Sequence, residues 1–141
     1  ITRIMIKVEE NINHKDDDFE KVFNVEADVE RLEEITIPNI EELNQLEPFG
    51  FGNPKPLFLL KNVLLEDKTY FGSLSNHVRF QFNLCGKRIT GKCFNGVEKF
   101  EPFQIRDFYD VIGHFSINDW NGKKSVEFDV KEILAINNIV S

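Results

Sequence analysis

The sequence predicts a mainly β protein, a small barrel preceded by a short α/β lead-in. Three observations predict it. From residue 57 onward, apolar residues recur with period two in five separate runs. Before residue 47 the spacing is mostly helical, with one alternating run. Between the two lies Leu46–Phe58, LEPFGFGNPKPLF, which combines three prolines, two glycines and three phenylalanines. Residues 1–47 therefore read as the lead-in, 48–58 as a rigid elbow and 57–136 as the barrel domain.

In the lead-in, Ile4, Val8 and Ile12 stand at helical spacing and predict a short helix over 3–13. HKDDDFE (14–20) reads as a solvated loop, and its three aspartates are better solvated than metal-bound. KVFNVEADVE (21–30) alternates and predicts a half-buried strand. Thr36 reads as a helix N-cap with Pro38 in the first turn. Ile37, Ile40, Leu43 and Leu46 follow on one face, and Pro48 ends the helix. In the elbow, Gly50 and Gly52 permit positive φ while Pro48, Pro54 and Pro56 stiffen the path. Its phenylalanines, Phe49, Phe51 and Phe58, can then bury between helix and barrel, which gives the elbow a mechanical role; the rival role is phosphate contact through its backbone N–H groups.

Strands are predicted near 57–65, 77–84, 87–94, 108–117 and 125–134. A longer connection, NGVEKFEPFQIR, leaves room for a loop or one helical turn. Five strands with that one longer connection between the third and fourth is the element order of an OB-fold, a partly open five-stranded barrel.

Strands two and three carry the candidate site. With Cys85-Gly86 as a two-residue turn, Val78, Phe80, Phe82 and Leu84 share the barrel interior with Cys93, Gly91, Ile89 and Lys87, the lysine at the open end. The exterior then holds His77, Arg79, Gln81 and Asn83 opposite Phe94, Lys92, Thr90 and Arg88. That pair of strands presents three cations and no acid. OB-folds bind oligonucleotides across these strands. Single-strand binding needs cations along the backbone track and aromatics for stacking. The flanking loops supply Lys68, Tyr70 and Phe71 on one side and Trp120, Lys123 and Lys124 on the other. Trp120 can stack on a base or fold over its own hairpin, and Phe71 can plug the barrel end instead.

Composition sets bounds on function. The hydrophobic fraction of 41% supports a core, and no run of about 18 apolar residues is present to span a membrane. The net charge of −7 is unevenly placed. Residues 1–50 hold five Lys/Arg against fourteen Asp/Glu, net −9; residues 51–141 hold twelve against ten, net +2. An acidic front is thus joined to a mildly basic barrel. Cys85 and Cys93 lack CxxC spacing, and on this register they stand roughly 20 Å apart, too far for a disulfide or a shared metal. His14, His77 and His114 show no ligand spacing, and no nucleophile–base constellation is evident. The start ITRIMIKVEE has no apolar signal region and no initiator Met, which predicts a piece of a longer chain.

Leu46, Pro48, Phe49, Gly50, Gly52, Asn53, Pro54, Pro56 and Phe58 closely resemble the segment that RecJ-family single-stranded-DNA exonucleases carry between catalytic core and OB domain. FNVEADVERLEEITIPNIEELNQL, HVRFQF and DVIGHFSINDWNGKKSVEFDVKEI resemble further pieces of that family, in order, so the resemblance runs from about 22 to 134. It implies a cytoplasmic, bacterial 5′–3′ exonuclease of DNA repair and recombination as the parent. Its catalytic core, with Mn²⁺ or Mg²⁺ held by aspartates and histidines that include an Asp-His-His motif, would lie upstream, and a single-stranded-DNA-binding protein is a possible partner. This chain has no Asp-His-His motif. The expectation is a non-catalytic domain without cofactor that binds single-stranded DNA through Arg79, Arg88, Lys92, His77, Phe94, Trp120, Lys123, Lys124, Tyr70 and Lys68. The alternative is an OB or SH3-like barrel (an SH3-like barrel gives a similar strand count) that docks a protein partner through the same face rather than DNA.

Overall fold

Short turns and long strands set the architecture. A computed structural model describes residues 2–9, 18–29, 32–33, 35–44, 55–136 and 139–140. The lead-in contributes β1 (Thr2–Glu9), β2 (Asp18–Val29) and helix α1 (Ile37–Asn44). The barrel is built from β3 (Leu57–Phe71), β4 (His77–Leu84), β5 (Lys87–Cys93), β6 (Phe108–Trp120) and β7 (Lys123–Ala135), with the single turn α2 (Val97–Phe100) between β5 and β6; β8 (Ile139–Val140) follows.

The barrel closes in the order β3–β4–β5–β7–β6 and back to β3, with β5–β7 the parallel pair. This is the connectivity of a closed five-stranded OB-fold, as the element order predicts. The β4–β5 register is also as read from the sequence: Val78 faces Cys93 and Leu84 faces Lys87. It holds because both turn residues, Cys85 and Gly86, adopt positive φ (51° and 89°), which matches strand twist in a two-residue hairpin. Asn83 Oδ1 braces the turn by accepting the Gly86 N–H at 2.8 Å. The β6–β7 hairpin turns at Asn121-Gly122, within NDWNGKK. Trp120 pairs directly with Lys123 across Asn121-Gly122, again with φ positive at both turn residues (52° and 79°).

β3 must bend to close the barrel, and it does so at two bulges. The first lies between Leu60 and Val63 against β6. There Asn62 takes φ 58° and donates its N–H to the buried Asp110 at 2.8 Å. The second lies between Leu65 and Asp67 against β4, leaving Glu66 unpaired. Inside the barrel, Phe80, Phe82, Phe100, Phe115 and Phe128 are fully buried, each contributing about 1.5–3 kcal/mol of burial. α2 inserts Phe100 as the plug of one end. Leu32 and Ile40 of the lead-in join the same core, with Ile35 and Leu43 packed against it. Thr36 caps α1, its Oγ1 accepting the Asn39 N–H at 3.3 Å. A second small core, Val25, Leu59, Ile112 and Leu134, lies where β2 pairs in parallel with β3. Consequently β3 and β6 are buried there on both faces, and their sequences read as continuous apolar runs.

One predicted element is wrong. The helix expected over 3–13 is replaced by a strand over Thr2–Glu9, paired antiparallel with β2 from Thr2↔Val25 to Glu9↔Asp18; residues 10–13 lie outside the described residues. Ile4, Ile6 and Val8 satisfy a period of two as well as Ile4, Val8 and Ile12 satisfy helical spacing, and pairing with β2 decides between them. β2 also begins at Asp18, inside the expected loop. Of the elbow, residues 46–54, including Phe49 and Phe51, lie outside the described residues. Phe58 packs on Phe115 with ring centroids 5.1 Å apart.

Candidate nucleic-acid interface

The outer face of β4–β5 divides into an aromatic end and a charged middle. At the β3–β4 loop, Phe71 pairs with His77, which places both rings on the exterior. Phe94, one residue past β5, joins them. The His77 and Phe94 rings lie 4.9 Å apart edge to face, and Phe71 is 5.2 Å from His77 and 5.9 Å from Phe94. The Asn95 N–H donates to His77 Nδ1 at 2.9 Å and fixes the imidazole. Phe94 is 59% exposed, a large aromatic surface held in place by its neighbours. The Arg79 guanidinium lies 4.8 Å above the Phe71 ring. Such a contact orients a guanidinium without neutralising it, so its N–H donors remain available.

Farther along the same face the cations are paired. Arg88 Nε donates to Glu66 at 2.9 Å, and Lys92 Nζ meets Glu127 at 2.9 Å. The Lys92 and Glu127 side chains are only 26% and 12% exposed, so this pair is screened less than a surface bridge. The three cations share one face, as the alternation predicts, but the face is not free of acid. Glu66 arrives through the β3 bulge and Glu127 through the parallel neighbour β7, neither of which is adjacent in sequence.

Lys68 and Tyr70 stand on the other face of β3, opposite the interior residues Phe80 and Val78. The Lys68 ammonium donates to the carbonyls of Phe100, Glu101 and Phe103 at 3.3, 2.7 and 2.8 Å. It closes the exposed carbonyl end of α2, and burial pushes its pKa down against an opposing pull from Glu101. Tyr70 lies at the barrel mouth, 44% exposed. Trp120 and Lys123 are exposed at the β6–β7 tip, roughly 25 Å from the aromatic end at 3.3 Å per residue. Lys124 approaches Glu41 of α1 at 3.8 Å. His77, Phe94 and Arg79 are therefore brought together with Phe71, while Trp120, Lys123 and Lys124 mark the far end. The central place of Phe71 follows from the β3–β4 register, which its sequence neighbours do not specify.

Among the described residues no three His, Cys, Asp or Glu side chains converge to hold a metal. No described helix is long and apolar enough to cross a membrane.

Comparisons with known proteins agree with this architecture. The family model for the RecJ OB domain matches residues 27–132. The single-stranded-DNA-specific exonuclease RecJ of Bacillus subtilis (strain 168) is 34% identical over 101 residues, 72% of this chain and 13% of that protein. The crystal structure of RecJ in complex with Mn²⁺ from Thermus thermophilus superposes with a TM-score of 0.55 and 30% identity, over 73% of this chain and 14% of that one. The chain thus spans about one-seventh of the length of these relatives. With the barrel order, the register and the family match in agreement, the chain belongs to the RecJ OB-domain family.

Proposed function

We propose that this chain binds single-stranded DNA on the outer face of β4–β5 and that, in a RecJ-like parent, it guides the strand to a metal-dependent exonuclease core in bacterial DNA repair and recombination. The observation that carries this reading is the cluster of Phe71, His77 and Phe94 with Arg79 lying over it. The exposed Phe94 ring, held by Phe71 and His77, offers stacking to any base, and the guanidinium beside the cluster offers a phosphate contact. Hydrolysis and its metal are assigned to the core of the parent, and the chain itself is a cytoplasmic, non-catalytic grip.

Fluorescence anisotropy with labelled oligothymidylate, at two salt concentrations, tests the grip. Affinity should fall steeply as salt rises, because neutralised phosphates release counterions. Quenching of Trp120 in the same titration reports whether the strand reaches the β6–β7 tip. A second reading, a barrel that docks a protein, draws on the ion pairs Arg88–Glu66 and Lys92–Glu127, which leave this face less basic than its cations alone. The absence of saturable, salt-sensitive DNA binding would favour that reading.

A further inference from the structure

The outer wall of the barrel carries a cleft of about 610 Å³ whose lining includes Lys55, Lys92, Phe94, His114, Asp129 and Lys131. Its size is within the range of small-ligand sites. It is contiguous with the aromatic end of β4–β5, because Phe94 belongs to both. The wall beneath it is β5, β7 and β6: Lys92 and His114 both pair with Asp129 in register.

A further bulge, in β7, shapes this cleft. Gly113 pairs with Val130 and Ile112 with Glu132, so Lys131 is the extra residue of β7. The strands approach closely there: a Cβ on Gly113 would run into the Asp129 carbonyl and the Phe128 ring. Bulges re-aim side chains, and Lys131 is turned out among the cleft residues, exposed and without a salt-bridge partner among the described residues. Lys55 reaches Asp129 only at 4.0 Å. Asp129 Oδ1 is buried in the wall, so that carboxylate is only partly presented to the cleft. Glu127 holds Lys92 at the cleft edge. Three ammonium groups therefore face two carboxylates, a local excess of positive charge in a chain of net charge −7. The His114 Nδ1–H donates to the Pro56 carbonyl at 2.7 Å. Burial pushes its pKa down, with Lys55 and Lys131 adding to the effect against that hydrogen bond and Asp129, which favours the uncharged ring.

We infer that this cleft is a second nucleotide subsite, in which Lys131 and Lys55 contact phosphate and Phe94 is shared with the first subsite. The inference rests on the reading that the aromatic end binds single-stranded DNA. The strand crosses from β5 over β7 toward Lys55, which stands just before β3, and so leaves the barrel beside the connection to the lead-in. The two rows of contacts make affinity depend on strand length, since only a longer strand reaches from Arg79 to Lys55.

The test is a ladder of oligothymidylates, from about 3 to about 16 nucleotides, titrated against the chain, Lys55→Gln/Lys131→Gln and Arg79→Ala. The unaltered chain should gain affinity in a step once the strand reaches the cleft. Lys55→Gln/Lys131→Gln should bind the shortest strands normally, lose the step, and lower the salt slope for long strands by about 1.4, or about 0.7 per lost phosphate contact. Lys55→Arg/Lys131→Arg should keep the step. Arg79→Ala should weaken every length. A step and a slope unchanged in Lys55→Gln/Lys131→Gln would overturn the second subsite and leave the first standing; this is also the result if the cleft serves a protein. An unaltered chain whose affinity does not rise with length would overturn it equally. If the unaltered chain binds no length, the DNA-binding reading and this inference fall together.

Discussion

The two parts of the β4–β5 outer face carry similar cations in the same alternating pattern, yet they present different chemistry. Arg79 rests on Phe71, and no carboxylate forms an ion pair with it among the described residues. Arg88 and Lys92 lie against Glu66 and Glu127 at 2.9 Å. The difference lies in what the neighbouring strands bring. Next to Arg79, β3 contributes an aromatic ring; next to Arg88, a bulge in β3 turns out a glutamate; next to Lys92, the parallel strand β7 contributes another. A cation already held by a carboxylate must give up that partner to take a phosphate, so its net contribution to binding is smaller. The comparison teaches that counting cations on a strand overestimates a nucleic-acid grip unless the flanking strands are known.

The largest expected effect is at the aromatic end. Base stacking contributes about 1–3 kcal/mol per base by alanine substitution, so Phe94→Ala should weaken single-strand binding roughly five- to a hundredfold. Normal affinity in a folded Phe94→Ala, checked by anisotropy and thermal melting, would remove the aromatic end from the interface.

Next in size is the contrast between the two arginines. Arg79→Ala should lower the dependence of log affinity on log salt by about 0.7, the value of one single-strand phosphate contact. Arg88→Ala should leave that slope nearly unchanged, because it removes an already neutralised charge. Equal losses in the two variants would break the comparison.

The smallest effect has the opposite sign. Glu127→Gln frees Lys92 and should tighten DNA binding by a few fold while steepening the salt slope, again by about 0.7. Weaker binding in Glu127→Gln, read in the same titrations, would mean that the carboxylate positions Lys92 rather than masking it.

Much of the barrel was legible because its signals are local. Alternation of Val78, Phe80, Phe82 and Leu84 assigns the interior of β4, and the two-residue turn at Cys85-Gly86 then assigns every pair to Cys93. Thr36 capped a helix as its side chain predicts. The lead-in was less legible. Residues 2–9 fit two periods, and the antiparallel partner that chose the strand, Asp18–Val25, lies across a separate segment of chain.

By itself, then, the sequence determined the period of each barrel strand, the positions of its tight turns and the family resemblance of the elbow, because each depends on residues a few positions apart. Only the tertiary structure decided which cations are neutralised. Glu66 is 22 residues from Arg88 along the chain, and its approach depends on one extra residue in β3. Likewise Lys131 enters the Phe94 cleft because Gly113 lets β6 and β7 approach closely enough to form a bulge. Bulges shift register by one residue and reverse which face a side chain occupies. They arise from the strain of closing a twisted sheet into a barrel, a property of the assembled strands that no single strand encodes.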